Sequence, residues 1–316
     1  MTYAYCGKSG LQLPRIALGL WHNFGNVDRF DVATDIVKYA FENGITHFDL
    51  ANNYGPPAGS AEVNFGRMLK TTLAGRRDEL VISTKAGHLM WSGAYGDGGS
   101  RKHLISSLDQ SLRRMGLGYV DIFYSHRYDP QTPVEETMQA LIDVVKQGKA
   151  LYVGISKYPV AEAEKAYKIL AQQHVPCLVN QDKYSLLARH VEQGVLDAAE
   201  RSGVGFVAFS PLAQGLLSAK YLNGIPQDSR AAKPHGFLQR EQVTDDVVKR
   251  VAHLNDLAAQ RGQTLAEMAI AWLLKDARVT SVIVGASSVE QLKQNICAVN
   301  NTTFTDKELE SIENIS

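Results

Sequence analysis

The sequence predicts an α/β protein built as a (β/α)8, or TIM, barrel, with an N-terminal hairpin and extra helices after the seventh strand and at the C-terminus. Three observations carry that expectation. Short β-rich apolar runs alternate with amphipathic helical stretches, the runs number eight, and each is apolar almost throughout, as befits parallel strands covered on both faces. A doubly wound open sheet is the second choice.

In chain order, YAYCGKSGLQLPRIAL reads as a hairpin turning at Lys8 to Gly10 and closing the barrel's bottom. The eight runs follow: IALGLW (16–21), ITHFDL (45–50), LVISTK (80–85), YVDIFYSH (119–126), LYVGIS (151–156), CLVNQ (177–181), GFVAFS (205–210) and SVIVG (281–285). Between them, HLISSLDQSLRRMG places Leu104, Ile105, Leu108, Leu112 and Met115 on one helical face, and EETMQALIDVVKQG ends at Gly148. After the seventh run an irregular loop, 211–243, precedes two helical stretches, the second opened by Thr264 and Glu267 at capping-box spacing. A loop of that length marks function or disorder. With no low-complexity linker, residues 1–316 read as a single domain.

The composition narrows the function classes. Lys plus Arg, 33, equals Asp plus Glu, 33, so no net charge draws the chain to nucleic acid or an anionic membrane. The N-terminus lacks a signal-peptide pattern and no apolar run reaches the ~18 residues of a membrane span, so a soluble cytoplasmic protein is expected. Cys6, Cys177 and Cys297 are odd in number and widely spaced, which suggests neither disulfides nor a metal site.

In a barrel, chemistry belongs at the carboxyl ends of the strands. The runs close on Asp49, Lys85, His126, Ser156, Gln181, Ser210 and Gly285. Runs two, three and four are neighbours, so Asp49, the nearby Tyr54, Lys85 and His126 converge. An ammonium beside a phenol lowers the phenol's pKa from about 10, and a buried ammonium needs a counter-charge, which Asp49 supplies. His126 can orient a substrate oxygen. The set suits a tyrosine acting as general acid in the reduction of an aldehyde or ketone, with a purely structural Asp–Lys pair as the competing reading.

These residues carry a resemblance. FDLANNYG, STKAG, VDIFYSHRYD, VGISKY and VAFSPLAQGLL resemble the signatures of the aldo-keto reductases, and the similarity runs from GKSGLQLPRIALGLW to VIVGASSVEQLKQN. Within the family the likeness is to the bacterial glyceraldehyde 3-phosphate reductase branch, related to the potassium-channel beta subunits. It implies a barrel that binds extended NADPH, with Asp49, Tyr54, Lys85 and His126 as the catalytic tetrad and small aldehydes of the glyceraldehyde 3-phosphate and methylglyoxal type as substrates. It also implies a homo-oligomer.

By the same resemblance, Ser156 and Gln181 hold the nicotinamide amide and Phe209 stacks on its ring, with Trp21, Asp49 and Ser210 also in the cofactor site. Backbone groups of Leu212, Gln214 and Gly215 lie near the pyrophosphate, with Lys220 and Arg230 as cationic partners. The eighth run leads through a glycine into a helix N-terminus, a natural phosphate seat. There Gly285, Ser287, Gln291 and Asn295 match the adenosine and 2′-phosphate positions. Ser288 and Gln291 also have capping-box spacing.

At the rim, Trp21 and Trp91 either touch substrate or anchor loops, and Arg127 either attracts a phosphorylated aldehyde or serves an ion pair. Two other function classes are weighed. A nucleotide-binding regulatory subunit of the channel type keeps the cofactor but turns over slowly; the retained His126 argues against it. A Schiff-base enzyme acting through Lys85 needs no nicotinamide.

Overall fold

A computed structural model describes residues 1–227, 229–232 and 238–315. The side chain of Arg230, an expected cofactor contact, lies outside the described residues.

The N-terminal YAY and QLP segments pair as antiparallel strands β1 (Tyr3–Tyr5) and β2 (Gln12–Pro14). The chain reverses between them, with the Cys6 N–H donating to the Leu11 carbonyl at 2.8 Å. Gly7 makes the reversal workable. Its φ is +57°, and a Cβ there would lie 2.2 Å from the Gly203 carbonyl oxygen. Cys6 and Leu13 are buried and pack with Val81, Val207 and Ile283 of the barrel interior, so the hairpin plugs the end from which the strands start, as expected.

The eight apolar runs become eight parallel strands: β3 (Ile16–Gly19), β4 (His47–Asp49), β5 (Val81–Ala86), β6 (Val120–Ser125), β7 (Ala150–Ser156), β8 (Cys177–Lys183), β9 (Gly205–Phe209) and β10 (Val279–Val284). They close into a barrel in chain order, β10 pairing with both β9 and β3. Gly154 in β7 leaves room for the Tyr124 ring, whose Cδ1 a Cβ would meet at 2.6 Å. That ring in turn lies beneath Lys85, 5.6 Å from its nitrogen.

Helices α1 (Phe30–Glu42), α2 (Ser60–Lys70), α3 (Arg101–Met115), α4 (Val134–Lys146), α5 (Val160–Gln172) and α6 (Val195–Arg201) each bridge successive strands. The helix over 101–115 buries Leu104, Leu108, Leu112 and Met115 on one face, as the spacing predicts, and is bounded by the Ser100 cap and a left-handed Gly116. Beyond β9 the long loop contains short 3-10 turns, then α7 (Asp245–Gln260) and α8 (Leu265–Leu274). Thr264 and Glu267 form the expected capping box, with the Thr264 N–H donating to Glu267 Oε2 at 2.7 Å. Helix α9 (Val289–Cys297) follows β10, and α10 (Asp306–Ile315) completes the helical additions. Among the described residues no helix is long and apolar enough to cross a membrane.

His47 opens β4 fully buried, its Nε2 3.0 Å from Ser83 Oγ. Burial lowers its pKa to about 4, against the opposing pull of Asp49. The unfolded chain protonates histidine near its ordinary 6.5 while the folded chain resists, so this contribution to stability is present above that pH and lost as pH falls toward 4. Urea unfolding is expected to show stability falling between pH 6.5 and 4.5. In His47→Asn the fall should be smaller by roughly 2 kcal/mol, and an unchanged slope would remove His47 from that balance.

Candidate active site

The strand register brings the polar strand ends together. Asp49 lies across from Ser83, and Lys85 stands two residues further up β5 on the same inward face. The Lys85 ammonium is fully buried, and its three N–H groups meet three acceptors: Asp49 Oδ2 at 2.5 Å, the Leu50 carbonyl at 2.7 Å and the Tyr54 hydroxyl at 3.4 Å. The second oxygen of Asp49 accepts from Ser83 Oγ at 2.7 Å and from Gln181 Nε2 at 3.1 Å. Asp49, on β4, is thus held by three side chains from two other strands, β5 and β8.

Tyr54 lies between two rings. Trp21 stacks on one side with centroids 5.9 Å apart, and His126 meets it edge-on, also at 5.9 Å. The four expected catalytic residues therefore share one site at the carboxyl end of the barrel.

The electrostatics differ from the expectation in one respect. The Tyr54 phenol is not acidified: burial pushes its pKa well above the ordinary 10.0, and the Asp49 carboxylate adds to the rise. The reason is geometric. Lys85 directs its shorter contacts to Asp49 and the Leu50 carbonyl, which leaves the phenol with the longest one. Burial lowers the Lys85 pKa, opposed by Asp49 and by Glu62. His126 is held well below 6.5, first by burial and then by the Lys85 charge, so it is neutral at physiological pH. Tyr54 and His126 are therefore both neutral and able to donate a hydrogen bond.

The surroundings fit a nicotinamide cofactor. Ser156 Oγ is buried without a partner beside β8, where Gln181 pairs across from it. An amide would satisfy that hydroxyl. Phe209 is half-buried and, with Trp21, Ser210 and Gln214, lines a cavity of about 390 Å³ at the barrel rim. Ser210, Ala213 and Gln214 all take left-handed φ values of 55°, 47° and 63°, backbone strain of the kind stored where a chain is shaped around a ligand. Leu212 packs against the core, and the Gly215 N–H already donates to the Leu212 carbonyl at 2.8 Å. Lys220 is exposed on the same loop.

Elsewhere several of the expected contact residues have partners within the chain. Gln291 Oε1 accepts from Ser287 N–H at 2.8 Å and from Ser287 Oγ at 3.1 Å, while Ser288 caps α9. The buried Asn295 donates to the Gly285 carbonyl at 3.5 Å. Trp91 packs on His103, 5.3 Å between centroids, which is the loop-anchoring alternative. Arg127 donates to the Gly87 carbonyl at 2.8 Å and pairs with Asp97 at 2.9 Å.

Three residues escaped the sequence reasoning. Glu62 is buried in α2, accepting from Thr84 Oγ1 at 2.6 Å and from Arg114 Nε at 2.7 Å, and its charge supports the Lys85 ammonium. His88 packs edge-on against His126, 4.4 Å between centroids, and Lys157 reaches His88 Nε2 at 3.0 Å. His88 and Lys157 each lie one to three residues past a polar strand end, AGH after Lys85 and SK at Ser156, the one signal that points to them.

A buried lysine between a carboxylate and a phenol, with a neutral imidazole facing the same spot, defines a carbonyl-reducing barrel. The family model for the aldo/keto reductase family matches residues 15–316, and the chain belongs to that family. It is an oxidoreductase acting on aldehydes, in a family whose reductases work with nicotinamide cofactors. Two curated relatives are similar along nearly the whole chain: the L-glyceraldehyde 3-phosphate reductases of Escherichia coli strain K12 and of Escherichia coli O157:H7. Each is 57% identical over 318 residues, covering 99% of this chain and 92% of the relative.

A titration tests the electrostatics directly. The difference in tyrosinate absorbance between wild type and Tyr54→Phe should stay flat up to pH 10, because Tyr54 keeps its proton beyond its ordinary range. A tyrosinate signal from Tyr54 at lower pH would contradict the upward shift.

Proposed function

We propose that the protein is an NADPH-dependent reductase of small aldehydes, of the glyceraldehyde 3-phosphate and methylglyoxal type, with Tyr54 as general acid. The observation that carries this reading is the meeting of the Tyr54 hydroxyl and the neutral His126 above the Lys85–Asp49 pair. Similarity to two proteins named L-glyceraldehyde 3-phosphate reductase supports the substrate class.

Ser156 and Gln181 would hold the nicotinamide amide, and Phe209 would lie against its ring. When bound, the reduced cofactor supplies a hydride to the carbonyl carbon. The chain's own residues handle the oxygen. His126, neutral, donates a hydrogen bond and fixes the carbonyl in line with Tyr54. As negative charge grows on that oxygen its basicity rises, and the Tyr54 proton moves to it. The Lys85 ammonium then faces the phenolate left behind, so its field acts where the charge appears. A phenol with a raised pKa is stable in the resting site and gives up its proton only to a strongly basic acceptor. Asp49 keeps Lys85 charged and in place throughout. Lys220 and the Arg230 position supply the positive charge that would favour NADPH over NADH.

The channel-type regulatory reading is not favoured. His126 is present, neutral and directed at the phenol.

In a steady-state assay, Tyr54→Phe should lose about 10²-fold or more in kcat with methylglyoxal while binding NADPH as wild type does by fluorescence titration. Near-normal turnover would remove the tyrosine from the mechanism. Run side by side, NADPH should exceed NADH in kcat/KM by at least about tenfold, the effect of one added charge contact to the 2′-phosphate. Equal use of the two would withdraw the NADPH assignment.

A further inference from the structure

The tetrad does not account for one group at the barrel mouth. Lys157 follows Ser156 at the end of β7 and takes a left-handed backbone with φ of 55°, unusual for a residue with a side chain. Its ammonium is half-buried and makes no ion pair among the described residues. Its contact is His88 Nε2 at 3.0 Å, and the His88 ring rests on His126 at 4.4 Å. Lys157 is therefore one ring away from the imidazole that faces the substrate oxygen.

The charges around it are unbalanced. Burial, with Lys85 and Arg127 adding their repulsion, lowers the Lys157 pKa to about 8, while Asp182 alone pulls the other way. Asp182 itself lies 3.3 Å from His190, and Asp97 is engaged by Arg127. Burial and the neighbouring cations lower the His88 pKa to about 4, so His88 is a neutral acceptor for a Lys157 N–H. The geometry sets a half-buried amine, held by a neutral histidine, beside a guanidinium whose bonds to the Gly87 carbonyl and Asp97 leave further N–H groups to offer. An anion entering here would relieve the repulsion between the two cations and gain charge-assisted hydrogen bonds. A surface lysine selected for solubility alone has no need of a half-buried histidine partner or a strained backbone.

We propose that Lys157, with Arg127 beside it, receives the phosphate of a phosphorylated aldehyde whose carbonyl lies at Tyr54 and His126, and that His88 is a positioning residue for the Lys157 amine. The inference rests on the reductase reading above and deepens it. A three-carbon aldehyde phosphate carries its anion at the far end from the reacting carbon, and Lys157 lies one ring beyond His126, across His88. Methylglyoxal has no group for this seat.

The test compares glyceraldehyde 3-phosphate with methylglyoxal in wild type, Lys157→Gln, Lys157→Arg and His88→Asn, together with NADPH affinity and the binding of inorganic phosphate by calorimetry. Lys157→Gln should lose about 10- to 100-fold more kcat/KM on the phosphorylated aldehyde than on methylglyoxal, chiefly through KM, the range of one charge-assisted hydrogen bond. Lys157→Arg should recover part of the loss, and His88→Asn should show a smaller loss of the same selectivity. Phosphate should bind wild type at least about tenfold more tightly than Lys157→Gln. An equal loss on both aldehydes, or a matching loss of NADPH affinity, would place Lys157 on the cofactor or in the fold and overturn the proposal; so would equal phosphate binding. A wild type that binds phosphate through Lys157 yet reduces neither aldehyde would uphold the anion seat while defeating the reductase reading.

Discussion

A lysine side chain without solvent exposure, 2.5 Å from an aspartate that is itself buried, is the interaction on which the rest of the site is arranged. Removing two such charges from water costs several kcal/mol per ion, and attraction offsets that only where every remaining donor and acceptor is satisfied. Here they are. Lys85 uses all three N–H groups, and Asp49 receives Ser83 and Gln181 in addition to Lys85. Ser83 and Lys85 come from β5, Asp49 from β4 and Gln181 from β8, so closure of the barrel assembles the pair and the pair ties strands across the barrel.

Burial and the same pair together set the protonation of the residues above it. Because Asp49 and the Leu50 carbonyl take the short contacts, the ammonium does not acidify Tyr54 in advance, and burial keeps the phenol protonated. Burial, seconded by the Lys85 charge, meanwhile holds His126 neutral. The result is a site that stores one proton on the phenol and one hydrogen-bond donor on the imidazole, with a positive charge in reserve for the phenolate. Glu62, tied to Arg114 and Thr84 behind β5, adds a second negative charge that helps Lys85 remain an ammonium.

Much of this was legible in the chain. Eight apolar runs, six of them carrying a polar residue at their end, correspond to eight strands, and Asp49, Lys85 and His126 could be brought together because adjacent strands in a parallel barrel end on one face. The boundaries were less sharp: the run at 281–285 belongs to a strand that begins at Val279, since the polar Thr280 separates Val279 from the run. What the chain concealed were interactions between side chain and backbone. The upward Tyr54 shift comes from burial and from the Asp49 charge, while the Leu50 carbonyl, a group that every residue carries, takes one of the short Lys85 contacts. Glu62 resembles an ordinary solvated acid on a helix until Thr84 and Arg114 are seen to enclose it. His88 and Lys157 lie far apart in sequence on loops, and only the fold places one against the other. Trp91 and Gln291 each had a structural and a functional reading, and each has an intrachain partner, Trp91 packing on His103 and Gln291 bonding to Ser287.

The central claim is that Lys85 and Asp49 act as one unit in the fold. A double-mutant cycle in urea unfolding with Asp49→Asn, Lys85→Met and the pair tests it most directly. Either single change leaves a buried charge without its partner and should cost about 3–5 kcal/mol, while the double variant should cost little more than one of them. Additive losses would mean that the two groups stabilise the barrel independently, and the account built on their pairing would fail.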